Sequence, residues 1–255
     1  FTVNFAMSTV GMIFNVVVFY VMAEYVGPGA APMLAEYGGR YAPYIFLGIV
    51  FNRFLSVSLH GYYEAYSDGY WGGGFEIYHS SPIGVSAYLI GNVVFSYLRA
   101  GIEIALYTVL GIFVFGIGLA GARILPTLII LGAGVVSVTG IGLIAASTFS
   151  LINCRGWSDP VTWLVSLLVG LVSGVYFPPS ILPGWVQGIA AFLPQTYAYR
   201  SARLTMMTGA SLSTRTVAQD LSAIMLLAAL YLPVGILLYR RSLRKAETDG
   251  ALTRW

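Results

Sequence analysis

The sequence predicts an all-α membrane protein: six transmembrane helices, with a re-entrant helical hairpin between the fifth and the sixth. Three observations predict it. Of 255 residues, 58% are hydrophobic and 9% are charged, whereas a soluble domain carries about 25% charged residues. Lipid must therefore solvate most of the surface. The apolar residues fall in long continuous runs, which read as helices rather than as the short alternating strands of a barrel. One further stretch, "SGVYFPPSILPGWVQGIAAFLPQTYAYRSARLTMMTG" from Ser173 to Gly209, is too apolar for an ordinary loop and too broken by proline to cross.

Each span needs roughly 20 mostly apolar residues. The first is Phe5–Ala23. It has no basic n-region or small-residue cleavage site, so a membrane helix is expected rather than a signal peptide. The second is Ala42–Tyr62, and the third lies in Val85–Ile117, long enough to tilt or to begin as an interfacial segment. The fourth, Ile124–Phe149, is rich in small residues (Gly132, Ala133, Gly134, Gly140, Gly142) that permit close helix approach. The fifth is Val161–Tyr176 and the sixth Val217–Tyr239. The chain thus reads as a single transmembrane domain, 1–255.

The Ser173–Gly209 stretch has its own logic. Pro178, Pro179 and Pro183 break the fifth helix. Ile181–Phe192 and Thr196–Met207 can each form a short helix, with Leu193–Pro194 as the turn. Such helices satisfy their own backbone, which membrane depth demands.

Orientation follows the Lys/Arg bias of the short loops. With both termini on the cytoplasmic side, Arg155, Arg240, Arg241, Arg244, Lys245 and Arg254 lie inside, and Arg40, Arg123, Arg200, Arg203 and Arg215 outside. The cluster directly after the last span decides for that orientation.

Several function classes lack their residues. Lys245 is the one lysine, and scattered arginines do not supply the dense basic face of a nucleic-acid binder. Cys154 is the one cysteine, so neither an internal disulfide nor a multi-thiolate metal site is expected. His60 and His79 have no ligand-spaced partner and read as loop histidines, so no metal site is expected. A phosphate-cradling Gly-Lys-Ser/Thr loop is missing, because Ala246 follows Lys245. No catalytic set is expected in this chain.

The charges within spans are the sharper signal, since each is costly in lipid. Arg53 lies mid-way along the second span. Arg99 and Glu103 lie in the third at i, i+4 spacing, on one face. Two roles fit: a structural bridge between the helices, or a relay for a proton or substrate. Asn52 and Asn92 are polar companions for the same place. Most of the eighteen tyrosines, fourteen phenylalanines and five tryptophans suit an interfacial belt. Phe14, Phe51, Phe54 and Phe95 lie inside spans, where they can pack or line an apolar path.

Gly174, Phe177, Pro178, Leu182, Pro183, Trp185, Pro194, Thr196, Tyr197, Arg203 and Gly209 stand in an order that resembles the signature of ABC-2-type transporter permeases. The resemblance is to the branch that includes drug and antibiotic exporters, whose fold is the type V exporter fold. "SSPIGVSAYLIGN" after an acidic loop is similar to the family's coupling segment and its Ser/Thr-Pro. The resemblance implies a half-transporter: two permease chains, as a homodimer or with a similar chain, and two separate ATPase subunits that bind ATP and Mg. It implies coupling contacts in Tyr63–Ser81, among them Tyr63, Glu64, Tyr66, Asp68, Tyr70, Trp71, Phe75 and Glu76, and a second, smaller contact in Ser150–Asp159, which includes Arg155. The cargo it implies is an amphipathic drug-like or lipidic molecule leaving the cytoplasm across the cell membrane, with a lipid-linked glycan or polymer as the alternative. The family's coupling loops are often basic, whereas "EAYSDGYWGGGFEIYHSSP" carries no basic residue except histidine. From another class, an ion-coupled secondary transporter would use Glu103, Arg53 and Arg99.

Overall fold

The computed structural model describes residues 31–72, 84–115, 121–152 and 159–248, with isolated positions between 11 and 29. The described residues are all-helical, joined by turns. After a 3-10 segment, Ala31–Tyr37, the long helices are α1, Tyr41–Trp71; α2, Gly84–Phe115; α3, Ile124–Leu151; and α7, Arg215–Thr248. Between α3 and α7 come α4, Pro160–Val172; a 3-10 turn, Pro179–Ile181; α5, Gly184–Ala190; and α6, Pro194–Met207. Among the described residues, four helices are long and apolar enough to cross a membrane: Tyr41–Trp71, Ala87–Phe113, Ile124–Leu151 and Arg215–Ala246. The first expected span, Phe5–Ala23, lies outside the described residues except at isolated positions.

Two helices run past their expected ends. The second span was expected to stop at Tyr62 and give way to a loop, but α1 continues to Trp71. At 1.5 Å per residue its 31 residues span about 46 Å, beyond a hydrocarbon core of about 30 Å. The reason is a buried stripe. Tyr63, Tyr66 and Tyr70 recur at helical spacing and pack on Phe149 of α3, and Tyr66 also on Tyr239 of α7. Likewise the tail expected from Arg240 is helical through Thr248. Leu243 and Ala246 join the same tyrosine cluster, and Lys245 donates to the Leu151 carbonyl at 3.2 Å.

The fifth expected span is shorter than predicted. α4 has 13 residues, about 20 Å of helix. Asp159 caps it, accepting from the Thr162 amide at 2.7 Å, and Pro160 fits the first turn, where an amide would have no helical partner. It stops because Gly174 takes a φ of +90° and lies against the Pro179 ring. That conformation is natural to glycine and strained for other residues.

α3 is the axis of the bundle and packs along α7, α1 and α6. Two of its glycines make this possible. A Cβ at Gly142 would overlap the Ser58 carbonyl of α1, and one at Gly140 would overlap the α7 backbone at Tyr231 and Leu232. Gly132, also expected to permit approach, has open space beside it.

Candidate functional site

The intramembrane charges converge. Arg53 of α1 donates through Nε to Glu103 Oε2 of α2 at 2.6 Å, and Arg99 donates through Nε to Glu103 Oε1 at 3.3 Å. The Glu103 side chain is 7% exposed, whereas Arg53 is 44% and Arg99 52% exposed. One buried carboxylate thus faces two half-exposed guanidiniums. The asparagines do not join them. Asn52 accepts from the Tyr199 hydroxyl of α6 at 2.8 Å, and Asn92 donates to Tyr88 of its own helix.

Two compartments lie on either side of this ion pair, one lined by α1, α2, α3 and α6 and the other by α1 and α2. On the Tyr41 side is an apolar groove of about 330 Å³, lined by Phe46, Val50, Phe54, Ile104, Leu128 and Met206 among others. On the Trp71 side is a polar cleft of about 220 Å³, lined by Arg53, Ser56, His60, Glu64, Ser96 and Arg99. His60 is fixed there by a 3.0 Å contact between its Nε2 and Ser166 of α4. The Ser58 and Tyr97 hydroxyls bond across the α1–α2 seam.

Towards the Tyr41 end, Arg203 of α6 organises the Ser173–Gly209 stretch. It is 1% exposed. Its Nε donates to the Tyr44 carbonyl at 3.0 Å, its Nη1 to Gly174 at 2.7 Å and its Nη2 to Val175 at 2.8 Å. The guanidinium lies 3.9 Å from the centre of the Tyr44 ring, whose hydroxyl also donates to the Gly174 carbonyl. Burial works against the charge and lowers its pKa. The Gly174 and Val175 carbonyls lie in the sharp bend after α4, where backbone acceptors lack helical partners, and Tyr44 lies in the first turn of α1. Gly48 leaves the room: a Cβ there would overlap the guanidinium. Nearby, Arg200 bonds Asp220 of α7 through Nε at 2.8 Å and Ser201 donates to the same carboxylate at 2.6 Å. This bond raises the Arg200 pKa.

Of the hairpin residues expected to matter, Pro194 starts α6, Tyr197 donates to the Ala191 carbonyl, and Pro183 precedes α5. Phe177, beside Pro178, and Trp185 turn outward, 45% and 73% exposed. At the Trp71 end, the residues expected to touch a partner divide. Tyr63, Tyr66 and Tyr70 are buried against Phe149. Glu64, Asp68 and Trp71 are exposed. Phe75, Glu76 and Arg155 lie outside the described residues.

Residues 73–207, more than half the sequence, match the family model described as ABC-2 type transporter. The chain belongs to the ABC-2 type transporter family. No curated protein matches it. As an ABC-2 permease, it is the membrane component of a transporter and is not itself catalytic. The matched region ends with α6, so it contains the Gly174–Arg203 contact and the Arg99–Glu103 half of the ion pair. It leaves out Arg53, Tyr44 and Gly48 of α1, which complete both sites. Asp159 was expected only as the end of the smaller contact, and Asp220 only as one residue of the sixth span. Each stands beside the start of an apolar run, where a capping or pairing acid was a readable signal.

Proposed function

We propose that this ABC-2 permease is the membrane subunit of an ATP-driven exporter that moves an amphipathic drug-like or lipidic molecule out of the cytoplasm. The observation that carries this reading is the pair of compartments, apolar and polar, on either side of the ion pair. A cavity of a few hundred Å³ with few polar groups suits a small ligand, and the polar half suits its head. The ion pair binds each guanidinium to Glu103, which supports a structural bridge rather than a chain of proton carriers.

In this reading the chain has six spans in the cell membrane, both termini are cytoplasmic, and two copies form the permease. The Trp71 end of α1 then faces the cytoplasm. Separate ATPase subunits bind ATP and Mg there and meet exposed Glu64, Asp68 and Trp71. The segment 177–209 is a re-entrant cap over the outer mouth. Its exposed Trp185 and Phe192 suit the interfacial region of the outer leaflet.

The test is co-expression with candidate ATPase subunits, co-purification, and reconstitution in liposomes. The expected result is a stable complex whose ATP hydrolysis rises with amphipathic ligands and which moves them away from the ATPase side. Transport driven by a proton gradient, with no ATPase present, would overturn the reading. Asp68→Ala should reduce ATP-coupled transport without shifting the melting temperature, because its side chain is exposed.

A further inference from the structure

We propose that the molecule this permease takes is an amphipathic anion, with its head on Arg53 and Arg99 and its apolar body in the groove between α1, α2 and α3. The proposal rests on the exporter reading for the word cargo, but the binding site stands on the geometry alone.

Charge is the first argument. Glu103 is buried and both its oxygens are engaged, one by each arginine. One negative charge therefore meets two positive ones at the middle of two apolar helices. Arg99 contributes only Nε, at the long distance of 3.3 Å. Among the described residues its two Nη groups have no partner, half of its side chain is exposed, and it lines the cleft. A half-exposed guanidinium at membrane depth is costly unless it faces water, a counter-charge or a ligand. The planar fork of an arginine matches a carboxylate, phosphate or sulfonate.

Glu64 also lines the cleft. It lies eleven residues from Arg53 on the same helix, about 16 Å along the axis. It lies at the far end of the cleft from the ion pair. His60 stands between them, held by the contact with Ser166. The cleft thus offers an anion its positive charge at the inner end, next to the apolar groove.

Adjacency is the second argument. Phe54, which lines the apolar groove, directly follows Arg53, and Gly101 and Ile104 of the groove flank Glu103. Arg99 and Ile104 are five residues apart on α2, about 8 Å along the axis, so a molecule with its head on Arg99 reaches Phe54, Ile104 and Leu128 past the Arg53–Glu103 bridge. A cation finds no unengaged carboxylate at the ion pair, and a neutral amphiphile leaves the second guanidinium unmatched.

The experiment uses the purified full chain in a neutral detergent, with dodecyl phosphate as the probe and native mass spectrometry or calorimetry as the readout. The expected result is one tight site that dodecyltrimethylammonium does not compete for and that inorganic phosphate fills only weakly. Arg99→Gln should weaken dodecyl phosphate about tenfold, the effect of one lost charge-assisted contact, while Arg99→Lys retains part of it. Leu128→Trp should also weaken it, by filling the groove. Arg240→Gln, beyond both compartments, should leave it unchanged. Melting temperatures near wild type show that each variant is folded.

Equal binding of the cationic amphiphile, or an unchanged constant in folded Arg99→Gln, would overturn the proposal. So would inorganic phosphate binding as tightly as dodecyl phosphate, since the groove would then contribute nothing. A carboxylate supplied to Arg99 by a second copy or by residues 1–30 would appear as no binding at all, and that also overturns it. Displacement by phosphatidylglycerol but not phosphatidylcholine assigns the anion to lipids. No displacement by either assigns it to smaller single-chain anions, and both results uphold the site. None of these arms needs ATP. Anion binding without ATP-driven transport would sink the exporter reading alone, and ATP-driven export of cations without anion binding would sink this proposal alone.

Discussion

Replacing Arg203 with lysine tests the lock between α1, the Gly174 bend and α6. Arginine reaches three backbone carbonyls at 2.7–3.0 Å with three separate nitrogens. Lysine keeps the charge but has one ammonium, too short and compact to span the same fork. At least two of the three bonds are then lost, but the Gly174 carbonyl still holds the Tyr44 hydroxyl, so Arg203→Lys should cost about 1–3 kcal/mol. Gly48→Ala attacks the same contact from the other side, because its methyl group would occupy the space of the guanidinium. Overpacking of this kind costs about 1–3 kcal/mol. Lysine partly vacates that space, so the double variant should be less unstable than the sum by more than about 0.5 kcal/mol, the limit for independent sites. Unfolding of the detergent-purified chain, followed by denaturant or thermal titration, measures all four corners. Strict additivity, or Arg203→Lys unfolding as the wild type does, would refute the lock.

Three further outcomes follow from the packing. Gly142→Ala should cost about 1–3 kcal/mol by pushing α3 away from the Ser58 carbonyl of α1, whereas Gly132→Ala, beside open space, should be neutral in the same titration. Asp159→Ala should cost about 1–2 kcal/mol, since it removes the cap of α4 and the partner of the Thr148 hydroxyl; circular dichroism and unfolding check this. Glu103→Gln leaves two guanidiniums without a counter-charge and should destabilise the fold by about 1–3 kcal/mol; a folded variant of unchanged stability that loses gradient-driven transport would instead favour the relay.

The helical class was legible because too few charges were present to solvate a globule, and that argument needs no detail of packing. Helix ends were less legible. The 20-residue rule measures the thickness of lipid, and says nothing about how far a helix continues beyond it. At Tyr63–Tyr70 the continuation was written in the spacing of the tyrosines. Glu64 and Asp68 between them gave the segment the look of a loop, although they mark its exposed face. At Val172 the error ran the other way: apolar residues to Tyr176 suggested more helix, and the backbone turned at Gly174 instead. The geometry of the Arg53–Glu103–Arg99 bridge was accessible because opposite charges in apolar runs have few alternatives. The partners of Arg203 were not accessible, because backbone carbonyls have no letter in a sequence.

The two ends of the bundle are held by different physics, and the difference has a mechanical consequence. At the Tyr41 end, Arg203 and the Arg200–Asp220 pair make directional bonds with fixed partners, which break all at once or not at all. At the Trp71 end, Tyr63, Tyr66, Tyr70, Phe149 and Tyr239 meet with ring centres 4.9–6.4 Å apart. Hydrogen bonds from Lys245 to Leu151 and between Tyr66 and Ser150 accompany these rings, and aromatic pairs have several favourable arrangements. α1 contributes to both ends and to the ion pair between them, as one unbroken helix. In the proposed transporter, a displacement applied at Trp71 would act first on these ring contacts. The helix would carry it past Arg53 before it reached the lock at Tyr44. This order places the proposed binding groove between the drive end and the outer closure.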